Sequence, residues 1–108
     1  MSRRIAIVVV SVLMLAGVGT SAEAHSRSAP SLAVWDRLAQ CESGGRWHQR
    51  GRTYSGGLQF ADRTWRSVGG RGRAADASKQ EQIRRAVALY LKYGWGQWPG
   101  CSRKLRLR

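Results

Sequence analysis

The stretch Val34–Trp47, VWDRLAQCESGGRW, carries the first decision about the fold. Its apolar positions Val34, Trp35, Leu38 and Cys41 recur at helical spacing, so residues 34–42 read as an amphipathic helix. Gly44-Gly45 stops it, because glycine readily takes the left-handed conformation that closes a helix C-terminus. Glu42 lies four positions after Leu38 and seven after Trp35, which places its carboxyl on the apolar face. Desolvation there raises a carboxyl pKa, and the negative end of the helix dipole opposes ionisation too. Both effects favour a protonated acid near neutral pH, the state that a general acid for a glycosidic oxygen requires. A plain surface glutamate is the competing reading, and on these residues alone both stand.

N-terminal to this helix the chain changes character. Arg3-Arg4 is followed by an uncharged run, Ile5 to Val18, and then by Ala22-Glu23-Ala24, with small residues at the −3 and −1 positions of a cleavage site. This is the pattern of a secretory signal peptide over residues 1–24. The alternative, a membrane anchor, needs roughly 20 apolar residues, more than this run supplies. Residues 25–33 read as a short flexible lead-in, 34–102 as one small domain, and 103–108 (RKLRLR) as a basic, disordered tail. A domain of this size buries a modest core. Cys41 and Cys101 are the only cysteines, and in an exported chain they are expected to pair.

The chain holds 19 basic and 6 acidic residues, a formal net charge of +13. Such a charge draws polyanions over long range. Outside a cell these are anionic wall polymers, acidic glycans and lipid headgroups, and no nucleic acid is expected. Two cysteines far apart and two histidines offer no metal-ligand spacing, so neither metal nor cofactor is expected.

C-terminal to the opening stretch, Arg46 to Gly57 reads as a glycine-rich loop or a short β-hairpin. Leu58, Phe60, Trp65 and Val68 gather around a short helix capped by Asp62 and stopped by Gly69-Gly70. Arg71 to Ala77 reads as a loop. Ser78-Lys79-Gln80-Glu81 has capping-box spacing, and Ile83, Val87, Tyr90 and Leu91 give one apolar stripe to a helix ending at Gly94. Trp95 to Cys101 reads as an irregular aromatic segment tied against the first helix.

Three motifs in order, VWDRLAQCESGGRW, YSGGLQF (Tyr54–Phe60) followed by Thr64-Trp65, and GWGQWPGC (Gly94–Cys101), resemble the resuscitation-promoting factor family of actinobacteria. Glu42-Ser43 with the later Gly57-Leu58-Gln59 also looks like the Glu-Ser and Gly-Leu-Met-Gln motifs of lytic transglycosylases. The resemblance implies a mostly α, small α+β lysozyme-like domain, with a few short helices around a substrate cleft and one disulfide, that cleaves the glycan strands of peptidoglycan. Carried over by position, Glu42 is the catalytic acid, Gln59 and Thr64 contact substrate, Trp47 and Tyr54 line the cleft with support from Trp65, and Cys41–Cys101 is the structural bridge. The chain departs from the family pattern at Arg46, where an Asn is usual, and over Arg50–Gly57, where two arginines replace neutral residues.

A glycosidase of the usual design flanks the bond with two carboxylates. Here Asp36 points to another side of the first helix, Asp62 reads as a cap, Glu81 as the capping-box partner of Ser78, and Asp76 lies in a loop. A single-acid mechanism follows, in which Glu42 first gives a proton and then takes one. The product, a 1,6-anhydro end or a hydrolysed reducing end, stays open. Trp35, Trp65 and Trp98 are expected in the core, His48 in solvent, and Ser43 has no Asp/His set to make it a nucleophile. Arg46, Arg50 and Arg52 form either a solvated face or a wall-binding patch. The expectation is a secreted or wall-bound monomeric enzyme acting on peptidoglycan, with another wall hydrolase as a possible partner. The alternative is a non-catalytic cationic module that binds wall or membrane polyanions.

Overall fold

The computed structural model describes residues 27–108. The expected signal segment and its cleavage site lie outside the described residues. The described chain runs helix α1 (Leu32–Ser43), strands β1 (Tyr54–Ser55) and β2 (Phe60–Ala61), helix α2 (Asp62–Ser67), a 3-10 turn (Ala74–Asp76), helix α3 (Lys79–Tyr93), a second 3-10 turn (Gly94–Gln97) and helix α4 (Pro99–Lys104). It is the mostly helical, small α+β architecture that the resemblance implies.

Helix α1 starts two residues before the expected Val34, so Leu32 and Ala33 belong to the helix and not to the lead-in. Trp35, Leu38 and Ala39 are wholly buried. Gly44 ends the helix at φ 68°; its N–H donates to the Gln40 carbonyl at 3.0 Å and the Gly45 N–H donates to the Ala39 carbonyl at 3.1 Å, so the left-handed glycines satisfy two of the helix's last carbonyls. Arg46 to Gly57 is mainly loop: it holds only β1, and the hairpin is completed by β2, which lies beyond Gly57. Tyr54 pairs with Ala61 and Ser55 with Phe60, and Arg50 bridges Ser55 outside the strands.

The core is aromatic. Trp35 meets Tyr90, Trp95 and Trp98 at centroid distances of 6.4, 5.3 and 5.5 Å, and Phe60 meets Trp65 at 5.1 Å. Edge-on and tilted contacts of this kind add about 0.5–1.5 kcal/mol each beyond buried area. They lock α1, α3, the hairpin and the aromatic segment into one unit. The Cys41–Cys101 disulfide, with Cα atoms 5.9 Å apart, ties α1 to α4.

Four expectations change. Asp62 is not the cap of α2: Ala61 holds that position, and the Asp62 carboxylate accepts from Arg73 Nε at 2.9 Å. Ser78 does cap α3 by accepting from the Glu81 N–H at 3.1 Å. The carboxylate of Glu81, however, turns to Arg84 and to Arg85, the latter at 2.6 Å. The α3 stripe runs through Gln82, Ile83, Ala86, Leu89 and Tyr90. Leu91 is 44% exposed, because a residue next to Tyr90 is turned about 100° from it. Finally, the segment expected to be a disordered end is helical as far as Lys104, and Leu105 and Leu107 pack against the core. The alternation of leucine with arginine in that segment supplies two apolar side chains to one side of the chain.

Candidate active site

Glu42 is the penultimate residue of α1, and Cys41 beside it is bonded to Cys101 of α4. The disulfide therefore brings the first turn of α4 against the end of α1. A cleft of about 440 Å³ opens there, lined by Glu42, Tyr54, Gln59, Gln97, Trp98, Pro99, Gly100, Cys101 and Lys104. It continues through two further hollows. The next is lined by Tyr54, Gln59, Thr64, Gln97 and Trp98 with their neighbours, and the last by Arg63, Thr64, Tyr93 and Gln97 among others. The shared walls make one groove, with Glu42 at one end and Thr64 toward the other.

The hairpin turn is fixed from three sides. Ser43 Oγ donates to the Gly57 carbonyl at 2.8 Å, and Trp98 Nε1 donates to the Leu58 carbonyl at 3.0 Å. The side chain of Gln82, wholly buried, accepts from the Gly57 N–H at 2.9 Å and donates to the carbonyls of Trp47 and Ala77 at 2.8 and 2.9 Å. The turn so held sets Gln59 at φ 53°, a left-handed conformation that costs a non-glycine residue free energy and collects at functional sites. Gln59 Nε2 donates to the Gly56 carbonyl at 2.9 Å. Gly57 has to be a glycine, since a Cβ there would lie 2.4 Å from the Trp47 ring.

Burial raises the Glu42 carboxyl above its ordinary pKa. Among the described residues no arginine or lysine pairs with it. The other four carboxylates of the described chain all have basic partners: Asp36 with Lys79, Asp62 with Arg73, Asp76 with Arg50, and Glu81 with Arg84 and Arg85. None of the four lines the cleft. On Asp76 the hydrogen bond from Arg50, followed by one from the Arg73 backbone, lowers the pKa, the opposite of what happens at Glu42.

Of the site residues read from sequence, Glu42, Tyr54 and Gln59 come together in the first cavity, and Thr64 joins Gln59 and Tyr54 in the second. Trp47 lines none of the three hollows. Its ring lies against Gly57, with Lys79 Nζ 5.2 Å from the ring centroid. Trp65 is core, with Nε1 donating to the Arg71 carbonyl. Trp98 is both core, at 3% exposure, and cleft wall. Ser43 is buried and structural, and His48 Nδ1 lies 2.9 Å from the Ala75 carbonyl. In the expected arginine patch, Arg50 is bound to Asp76 and Arg46 Nε donates to Gln49 at 2.6 Å.

Sequence reading missed Gln97, Gly100 and Lys104 on the cleft wall and Gln82 behind the turn. Gln97 and Gly100 sit inside GWGQWPGC, a motif whose signal was read as family likeness and packing. Nothing in the local pattern marks Lys104 or Gln82, since both bear on the cleft only through chain-distant contacts.

Comparison with known proteins places the chain. The family profile described as transglycosylase-like domain matches residues 29–101. The resuscitation-promoting factor Rpf of Micrococcus luteus is 44% identical over 107 residues, covering 98% of this chain and 48% of the relative. The resuscitation-promoting factor RpfE of Mycobacterium tuberculosis is 51% identical over 71 residues, covering 65% and 41%. The resuscitation-promoting factor RpfC of Mycobacterium tuberculosis is 40% identical over 106 residues, covering 92% and 74%. The chain thus spans less than half the length of the first two relatives and about three quarters of the third. Across that span it belongs to the resuscitation-promoting factor family and carries that family's transglycosylase-like domain.

Proposed function

We propose that this protein is a secreted, wall-acting enzyme that cleaves the glycan strands of peptidoglycan with Glu42 as its single catalytic carboxyl. The observation that carries the reading is the contrast among the acids. Four are ion-paired away from the cleft, while Glu42 lies within it, pKa raised and free of a basic partner among the described residues. A carboxyl so placed stays protonated closer to neutral pH and can donate.

The protonated Glu42 gives its proton to the glycosidic oxygen as the C1–O bond breaks and the leaving sugar keeps the bonding pair. The oxocarbenium-like centre left on C1 needs a nucleophile. In the transglycosylase route the sugar's own 6-hydroxyl attacks C1, and the Glu42 carboxylate takes the hydroxyl proton. The product is a 1,6-anhydro end, and Glu42 returns to its acid form without a second carboxylate. In the hydrolytic route water replaces the 6-hydroxyl and the same carboxylate takes its proton. Gln59, Tyr54 and, further along the groove, Thr64 hold the strand. The absence of a second acid on the cleft wall among the described residues favours the intramolecular attack, since the usual two-carboxylate design has no partner for Glu42 here.

Solubilisation of peptidoglycan by the wild type and Glu42→Gln tests the assignment. General acid catalysis contributes about 10²–10⁴-fold, so E42Q is expected to fall by at least the lower figure. Undiminished release by folded E42Q sinks it. Mass spectrometry of the fragments separates anhydro ends from reducing ends. The relatives are named resuscitation-promoting factors, and promotion of regrowth from dormancy is the biological outcome proposed here for such cleavage.

A further inference from the structure

The cleft beside Glu42 holds one acid and one base. Apart from Glu42 and Lys104, its lining residues are neutral. Like most basic residues of the described chain, Lys104 has no carboxylate partner, but it alone among them lines this cleft. Its position is not loose. It is the last residue of α4, three after Cys101, which the disulfide anchors to the residue preceding Glu42. The following residue, Leu105, packs against the core and donates its N–H to the Cys101 carbonyl at 2.9 Å. Lys104 and Glu42 are therefore carried on two helix ends joined by one covalent bridge.

Gly100 stands four residues before Lys104 and so on the same face of α4. Its backbone does not require glycine: φ lies outside the left-handed region, and a Cβ there would meet no atom within 4 Å. The α4 wall of the cleft is thus trimmed back directly along from a free cation. A cation at a helix C-terminus is favourable to the helix by itself, but that gain asks for no cavity and no missing side chain beside it.

We propose that Lys104 is a specificity residue of this cleft, recognising a carboxylate carried as a substituent on the bound glycan strand, with the space over Gly100 admitting that substituent. The proposal rests on the reading of the cleft as a glycan-cleaving site. It identifies the preferred substrate as a strand with free carboxylates over one whose carboxylates are neutralised.

The test compares two forms of one peptidoglycan preparation, untreated and with its carboxylates chemically amidated. kcat/KM for release is measured with the wild type, Lys104→Met, Lys104→Arg and Glu42→Gln. A single partly exposed ion pair is worth up to about fivefold in a rate or binding ratio. The wild type is expected to prefer the untreated form by roughly that factor. K104R should keep the preference and K104M lose it, and about 0.5 M salt should shrink it in the wild type by screening. A wild type indifferent to amidation, or a K104M that keeps the full preference, overturns the proposal. E42Q separates the two levels. If E42Q still releases fragments, the glycan-cleaving reading fails. If E42Q is inactive while K104M retains the wild-type ratio, only the role of Lys104 fails.

Discussion

Replacing Gln82 by methionine isolates the buried network that supports the cleft. Gln82 is wholly buried and makes three side-chain hydrogen bonds, to the Gly57 N–H and to the Trp47 and Ala77 carbonyls. Methionine keeps similar length and volume, so the packing loss is small, and the cost lies in one N–H and two carbonyls left without partners. A buried group stranded in this way costs about 1–3 kcal/mol. Gly57 is buried and bears the full figure, whereas Trp47 and Ala77 are half-buried and partly recover water, which places them at the lower end. The total is about 3–5 kcal/mol. At roughly 4–8 °C per kcal/mol for a domain of this size, Tm falls by about 12 °C or more. Urea unfolding followed by tryptophan fluorescence measures the loss, with Gln80→Met, exposed on the same helix, as the control expected within about 0.5 kcal/mol of wild type. Native-state hydrogen exchange at the Gly57 amide should quicken in parallel. A loss below about 1 kcal/mol in Q82M, with Gly57 exchange unchanged, refutes the claim that this glutamine holds the turn presenting Gln59.

The remaining predictions concern Glu42, the disulfide and Gly100. Burial raises the folded-state pKa of Glu42, so its contribution to stability is full below the unfolded carboxyl pKa and is lost as pH rises through the higher folded value. E42Q should accordingly have a higher Tm than wild type at pH 7, with the difference closing below about pH 4. Equal Tm at both pH values would contradict the burial of the charge. Cys101→Ser opens a link of sequence separation 60 and should cost about 4 kcal/mol in the chain-entropy model. It should also lower peptidoglycan release even at temperatures where the variant stays folded, since α4 and Glu42 lose their common anchor. Gly100→Leu meets open space and gains helix propensity of about 0.8 kcal/mol, so Tm should hold or rise slightly while release falls as the side chain fills the cleft. Full activity in G100L would show that the substrate does not use that wall.

Much of the molecule is legible along the chain because the signals are local. Gly44 closes α1 through its own backbone freedom, Ser78 caps α3 through the next turn's N–H, and Trp35 and Leu38 are buried because they recur at helical spacing. Glu42 could be placed on an apolar face by the same spacing. Where local reading fails, a distant partner has intervened. Asp62 leaves its capping role for Arg73, eleven residues on, because a half-buried N1 carboxylate gains more from a guanidinium held by the Gly51 carbonyl than from a single backbone N–H. The family resemblance puts Trp47 on the cleft wall, but Gly57 leaves a slot that its ring fills. Leu105 and Leu107 in a cationic segment gain a place in the core only because α4 is already tethered beside it.

The sequence by itself determined an amphipathic first helix ending at a glycine pair, a glutamate on its apolar face, a shortage of other acids and two cysteines to pair. These follow from periodicity, backbone sterics and composition, which act within a few residues. Only the tertiary structure decided that the other four acids among the described residues are occupied by cations, that Glu42 shares a cleft with Tyr54, Gln59 and Lys104, and that a buried glutamine holds the turn between them. Those outcomes depend on which chain-distant groups approach closely enough to bond or to exclude water, and no local pattern encodes that distance.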